Sequence, residues 1–110
     1  MFARKLSIHL KPNTLAEFIK TVETDILPLL RKQPGFQDEI TFAVREGNNG
    51  NNVLAISLWD TQKNAENYDV SAYKDVLKML GNVIDGTPKV GTTEVLHSTF
   101  HKIRTAVPAA

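Results

Sequence analysis

Residues 34 to 66 constrain the fold more than any other stretch. Pro34-Gly35-Phe36 stops a long amphipathic helix. Asp38 to Glu46 alternates as a strand, Gly47 to Asn52 is a run of glycine and asparagine, and Val53 to Trp59 is a second strand. Asp60-Thr61 then opens a new helix. Proline cannot continue a helix, and a short Gly/Asn tract between two strand patterns leaves the chain little choice but a hairpin tip. With one strand before this run and one after it, the order is βαββαβ.

The flanking segments supply those two strands and fill in the helices. Leu6, Ile8 and Leu10 alternate with Lys5, Ser7, His9 and Lys11, giving a strand from Ala3 to Lys11 that Pro12 ends. Leu15, Phe18, Ile19, Val22, Ile26, Leu29 and Leu30 form one helical stripe. Thr14-Leu15-Ala16-Glu17 has capping-box form, and Pro28, inside the stripe, predicts a kink or break. Thr61 is expected to cap the second helix, which Asp69-Val70-Ser71 interrupts before Tyr73, Val76, Leu77 and Leu80 resume the stripe. A last strand is expected from Thr92 to Arg104. At about 12 residues it exceeds the usual ~5–6, so it is expected to reach onto a partner. The chain reads as one domain, 1–104, with a short tail, 105–110.

Composition narrows the function. Thirteen Lys and Arg against 12 Asp and Glu leave a net charge of +1, which argues against nucleic acid, because phosphate binding needs a concentrated basic face. The absence of cysteine removes disulfides, thiolate catalysis and cysteine metal sites. No apolar run approaches the ~20 residues of a membrane span, and Met1 to Leu6 lacks the apolar core of a signal peptide. The expectation is a cytoplasmic protein that engages neither membrane nor nucleic acid.

The fold class expected is α+β: a ferredoxin-like βαββαβ, with two helices on one face of a four-stranded antiparallel sheet. Leu6, Ile8 and Leu10 are taken as helix-facing, and so are Leu54, Ile56 and Leu58 of strand three. The other face would then show Ser7, His9, Ala55, Ser57 and Trp59, an apolar patch that a single domain tends to avoid. Pairing two such faces about a two-fold axis would bury it, so a homodimer is expected.

The segments Leu27 to Phe36 and Ala55 to Tyr68 resemble the antibiotic-biosynthesis-monooxygenase-like superfamily of dimeric α/β barrels. The shared pattern is a helix ending in Pro-Gly-Phe, a strand ending in Trp, a polar turn, and a helix with an aromatic nine residues beyond that Trp. The resemblance spans about residues 3 to 103. It implies a homodimer and, in some members, cofactor-independent oxidation of aromatic polyketides or quinols by dioxygen. Other members degrade haem, using an Asn on strand one, a Trp in helix two and a His about ten residues later. Here those positions fall near Leu6, on Tyr68 and near Lys78, so haem degradation is not implied.

His9, Tyr68 and His101 are the candidate catalytic residues, with Trp59, Tyr73, His97 and Arg45 as candidate substrate contacts. A histidine facing the interior suits a general base. His97 and His101 stand ~13 Å apart along a regular strand at ~3.3 Å per residue, too far to share a metal. No carboxylate cluster completes a site with His9, so no metal is expected, and the resemblance implies that no cofactor is needed. Tyr68 and Tyr73 can donate to a carbonyl or a developing anion. Trp59 suits either a stacking wall or a plug at the strand end. Arg45 suits either an anionic substrate or a protected strand edge. No phosphate loop or nucleophile elbow is present. Three functions fit: a monooxygenase-like oxidoreductase acting on a small planar aromatic or quinol-type molecule, a non-catalytic ligand-binding or stress-associated dimer, and an isomerase or lyase.

Overall fold

A computed structural model describes residues 1–45 and 50–103. In chain order the elements are β1 (Phe2–His9), α1 (Leu15–Thr21), a π-helical segment (Val22–Ile26), α2 (Leu27–Arg31), β2 (Phe36–Val44), β3 (Asn52–Trp59), α3 (Gln62–Asp69), α4 (Tyr73–Met79) and β4 (Lys89–Glu94). The four strands form one sheet in the order β2-β3-β1-β4, and every neighbouring pair is antiparallel. This is the ferredoxin-like α+β arrangement. No helix among the described residues is long and apolar enough to cross a membrane.

The register settles which residues face the helices. Arg4 pairs with Ser57, Leu6 with Ala55 and Ile8 with Val53. On the other side Glu39 pairs with Ser57, Thr41 with Ala55 and Ala43 with Val53. Residues directly opposite share a face, and Leu6, Ile8, Val53 and Trp59 lie in one core with Phe18 and Tyr68 of the helices. For β1 the expected helix-facing set is right. For β3 it is reversed: Val53, Ala55, Ser57 and Trp59 face the helices, and Leu54, Ile56 and Leu58 face away. Both sets are apolar, so alternation along β3 could not choose between them.

The helix-free face therefore carries Ile40, Phe42, Leu54, Ile56 and Leu58 in place of the expected Trp59 patch. Ile40 is 44% exposed and Phe42 46%.

The helical stripe breaks where Pro28 predicts it. Leu27 donates its N–H five residues back, to Val22. An unbroken α-helix would press the Pro28 ring against the carbonyl of residue 24, and the wider π turn relieves it. Thr14 stands at the N-cap of α1 without a side-chain capping bond, because its hydroxyl donates to the Lys11 carbonyl at 2.6 Å instead. The capping box does not form. Thr61 does cap α3, accepting from the Asn64 N–H at 3.1 Å.

The last strand is shorter than expected and starts earlier. Its ladder runs from Ser7↔Lys89 to Phe2↔Glu94, and then β1 has no further residues to pair with. Val95 donates to the Met1 carbonyl, and residues 95–103 leave the sheet. His101 Nε2 lies 2.6 Å from Asp38 Oδ2, at the start of β2 on the opposite edge. The segment thus passes across the end of the sheet. Arg104, the 105–110 tail and residues 46–49 of the expected hairpin lie outside the described residues.

Candidate functional site

A groove separates the first helical run from the inner face of β2 and β3. It has a volume of about 380 Å³, with Leu15, Ile19, Val22 and Leu27 on the helical side and Thr41 and Ala43 on the sheet. Beside it lies a deeper cavity of about 50 Å³ that reaches Arg4, Ala55, Ser57, Tyr68 and Val76. Val22, Glu39 and Thr41 line both, so the two spaces share a boundary. Val22, Glu23 and Ile26 of the π segment all border this space. The irregular turn forced by Pro28 thus shapes the cavity wall.

Arg4 stands at the deep end. It points inward from β1 and is 2% exposed. Its Nη2 donates to Asp69 Oδ1 at 2.6 Å. The guanidinium carbon lies 3.9 Å from the Tyr73 ring centroid and 5.1 Å from that of Tyr68. Aromatic faces attract a cation, so two rings and one half-exposed carboxylate hold the buried charge. Arg4 Nε and the Tyr73 hydroxyl are buried without a hydrogen-bond partner. The guanidinium lies close enough to Tyr73 to act on its charge without forming a well-directed bond.

Burial raises the Tyr68 phenol to about 12, against the opposing pull of Arg4. At neutral pH Tyr68 is therefore a donor and not a base. Burial also lifts the Glu39 carboxyl above its ordinary range. The Thr41 hydroxyl works the other way, lying 2.6 and 2.8 Å from its two oxygens.

The other candidates are scattered. Trp59 is fully buried. It stacks on Tyr68 at 4.9 Å between centroids, meets Phe36 edge-on at 5.6 Å, and donates its indole N–H to Ser57 Oγ at 2.9 Å. This is the plug, and it backs the cavity through Tyr68. Tyr73 packs behind it, 6.0 Å from Tyr68. His9 is on the helix-free face at the far end of β1, against Asn52. Seven residues of strand, ~23 Å at 3.3 Å each, separate it from the Trp59 end. His97 is exposed on the segment after β4, and His101 is held by Asp38. Arg45 is exposed just past β2. Of the seven, only Tyr68 borders the cavity. Among the described residues no group of three or more His, Cys, Asp or Glu is placed to hold a metal.

Arg4, Ser57, Glu39 and Thr41 were not among the candidates. Arg4 carried a signal, since it is in phase with Leu6, Ile8 and Leu10. An arginine in step with a buried set needs a partner inside. Glu39 carried none, because only the pairing of β2 with β3 turns it toward the helices.

No protein-family model matches the chain, and no curated protein matches it. Solved structures do. A Bordetella bronchiseptica protein assigned to the antibiotic biosynthesis monooxygenases superposes with a TM-score of 0.71 at 17% identity, over 87% of this chain and 97% of that one. A Streptomyces coelicolor monooxygenase from the gene ActVA-Orf6, solved with the ligand nanaomycin D, gives 0.69 at 15% identity over 92% of each chain. A Nitrosomonas europaea protein of unknown function, NE2512, gives 0.68 at 15% identity, over 96% and 95%. The fold implied by the Pro-Gly-Phe and Trp segments is thus the fold these structures share.

Proposed function

We propose that the protein binds a small planar aromatic or quinol-type molecule in the groove between the first helical run and the sheet, and oxidises it with dioxygen as a cofactor-independent, homodimeric monooxygenase. One observation carries this reading: a space of about 380 Å³ adjoining an inner cavity of about 50 Å³, walled by aliphatic side chains and holding a few polar groups. Ligand sites commonly have that size and lining. The S. coelicolor neighbour, a monooxygenase solved with nanaomycin D, supports the ligand class and the reaction.

The groove's aliphatic walls would exclude water from a flat ring. The Tyr68 hydroxyl would donate to a ligand oxygen as charge develops on it, since a neutral phenol donates without surrendering its proton. None of the three histidines lies on this face within one protomer, so the base is not taken from them.

Oxygen uptake with a panel of hydroquinones and anthrones tests the reaction, and quenching of Trp59, the one tryptophan, reports binding through its stack on Tyr68. We expect uptake with at least one compound, lowered about tenfold or more by Tyr68→Phe, the loss typical of a weak to moderate oxyanion donor. Saturable quenching without uptake would leave a binding protein. Neither signal with any compound would end the reading.

A further inference from the structure

On β1, β2 and β3 the inner face carries its charges at one level. There Glu39 on β2, Ser57 on β3 and Arg4 on β1 are direct neighbours across three strands. Strands lie ~4.8 Å apart, which sets the Glu39 and Arg4 backbones ~10 Å from each other. Between them the floor is small: Ser57 at this level and Ala55 at the next inward-facing one. A carboxylate and a guanidinium thus flank a floor of small side chains, and all four residues border the inner cavity.

Both ends have bonding capacity in reserve. Arg4 gives Nη2 to Asp69, while its Nε is buried with no acceptor. A buried donor left unpaired costs free energy, and an oxygen arriving in the cavity would recover it. Glu39 takes the single Thr41 proton, whereas a carboxylate accepts about four hydrogen bonds. Glu23 lines the same groove as Glu39, so the groove is acidic and the deep end basic.

We infer that the ligand is dipolar along its long axis: a planar ring system with a hydroxyl or amine on the edge toward Glu39 and an anionic or carbonyl oxygen on the edge toward Arg4. This rests on the groove being the ligand site. It adds which edge enters first, and it excludes ligands carrying negative charge at both ends, because the outer charge would meet Glu39 and Glu23.

Calorimetric titration with four naphthalenes tests it: 6-hydroxy-2-naphthoate, 2-naphthoate, 2-naphthol and 2,6-naphthalenedicarboxylate. The hydroxy acid should bind at least tenfold more tightly than either singly substituted compound, and the dicarboxylate should bind most weakly. Glu39→Gln, a change on a half-buried edge strand, should weaken the hydroxy acid several-fold and strengthen the dicarboxylate at least tenfold, because an amide can donate to the second carboxylate. Equal affinities for all four, or an order unchanged by Glu39→Gln, would overturn the inference and leave the groove reading standing. No heat with any of the four would overturn both.

Discussion

Both tyrosines rest against one guanidinium, and their surroundings decide when they ionise. Burial raises Tyr68 to about 12 and raises Tyr73 as well, with Arg4 opposing in each case. A raised phenol pKa means that the folded state favours the neutral ring. The stability this gives is complete below about pH 10, the unfolded value, and is lost as pH rises through about 12. Tyr68 and Tyr73 are the only tyrosines, so the rise in near-ultraviolet absorbance on phenol ionisation reads them alone. Neither should ionise at about pH 10 in the native protein, unfolding should set in on the alkaline side of that value, and Tyr68→Phe should remove the higher step. A full tyrosine titrating at its free value would contradict the burial. Trp59 makes a second test at this scale. As a plug between Phe36 and Tyr68 it should cost about 3–5 kcal/mol when cut to alanine, measured by denaturant unfolding of the unliganded protein. A loss confined to ligand binding would restore its role as a wall. The sequence named both aromatics but could not tell plug from wall, because that depends on which face of β3 meets the helices. It hid Glu39 for the same reason.

Among the elements, the turn after α2 was the most legible, and the structure explains why. Gly35 has φ +81°, a conformation in which side chains are strained. A Cβ there would overlap Asp60 Oδ1 and the Asn64 side chain. The Gly35 carbonyl also accepts from the Asp60 N–H at 2.9 Å, so this turn is fastened to the start of α3. The two resembling segments, so far apart in sequence, are one joint in space: Phe36 meets Trp59, and Gly35 meets Asp60 and Asn64. Gly35→Ala should cost about 2 kcal/mol or more, combining an unfavourable backbone with a steric clash. Thermal unfolding within a degree of wild type would show that the joint yields freely. Within the protomer the last strand is shorter than expected, because alternation at Leu96, Ser98 and Phe100 is a property of side chains, whereas a strand also needs a neighbour. The ladder stops when β1 reaches its first residue, and no pattern in 95–103 could announce that. The interruption near Pro28 was foreseen as a kink. Its form is a π turn bordering the groove.

At the scale of the molecule, one sheet face has helices and the other has none among the described residues. The bare face presents Ile40 and Phe42 beside Leu54, Ile56 and Leu58; separately, the segment after β4 exposes Leu96 at 64% and Phe100 at 88%. Contiguous apolar surface of this kind fits an interface, and the proposed homodimer would bury it against the same face of a second copy about a two-fold axis. The ligand groove lies on the helical side, so assembly and binding can be separated by mutation. Light scattering should return twice the 12.2 kDa protomer mass at micromolar concentration. Phe42→Glu would place a carboxylate in the middle of the joined faces and should return the mass to a single protomer. Because burial between copies also stabilises each fold, the variant should melt lower, and the wild type should melt lower on dilution where the variant does not. It should keep the groove and its affinity for 6-hydroxy-2-naphthoate. A wild type that scatters as one protomer at every concentration would sink the homodimer. A Phe42→Glu protein that stays paired would move the interface off this face, leaving the exposed Leu96 and Phe100 as the surface to mutate next.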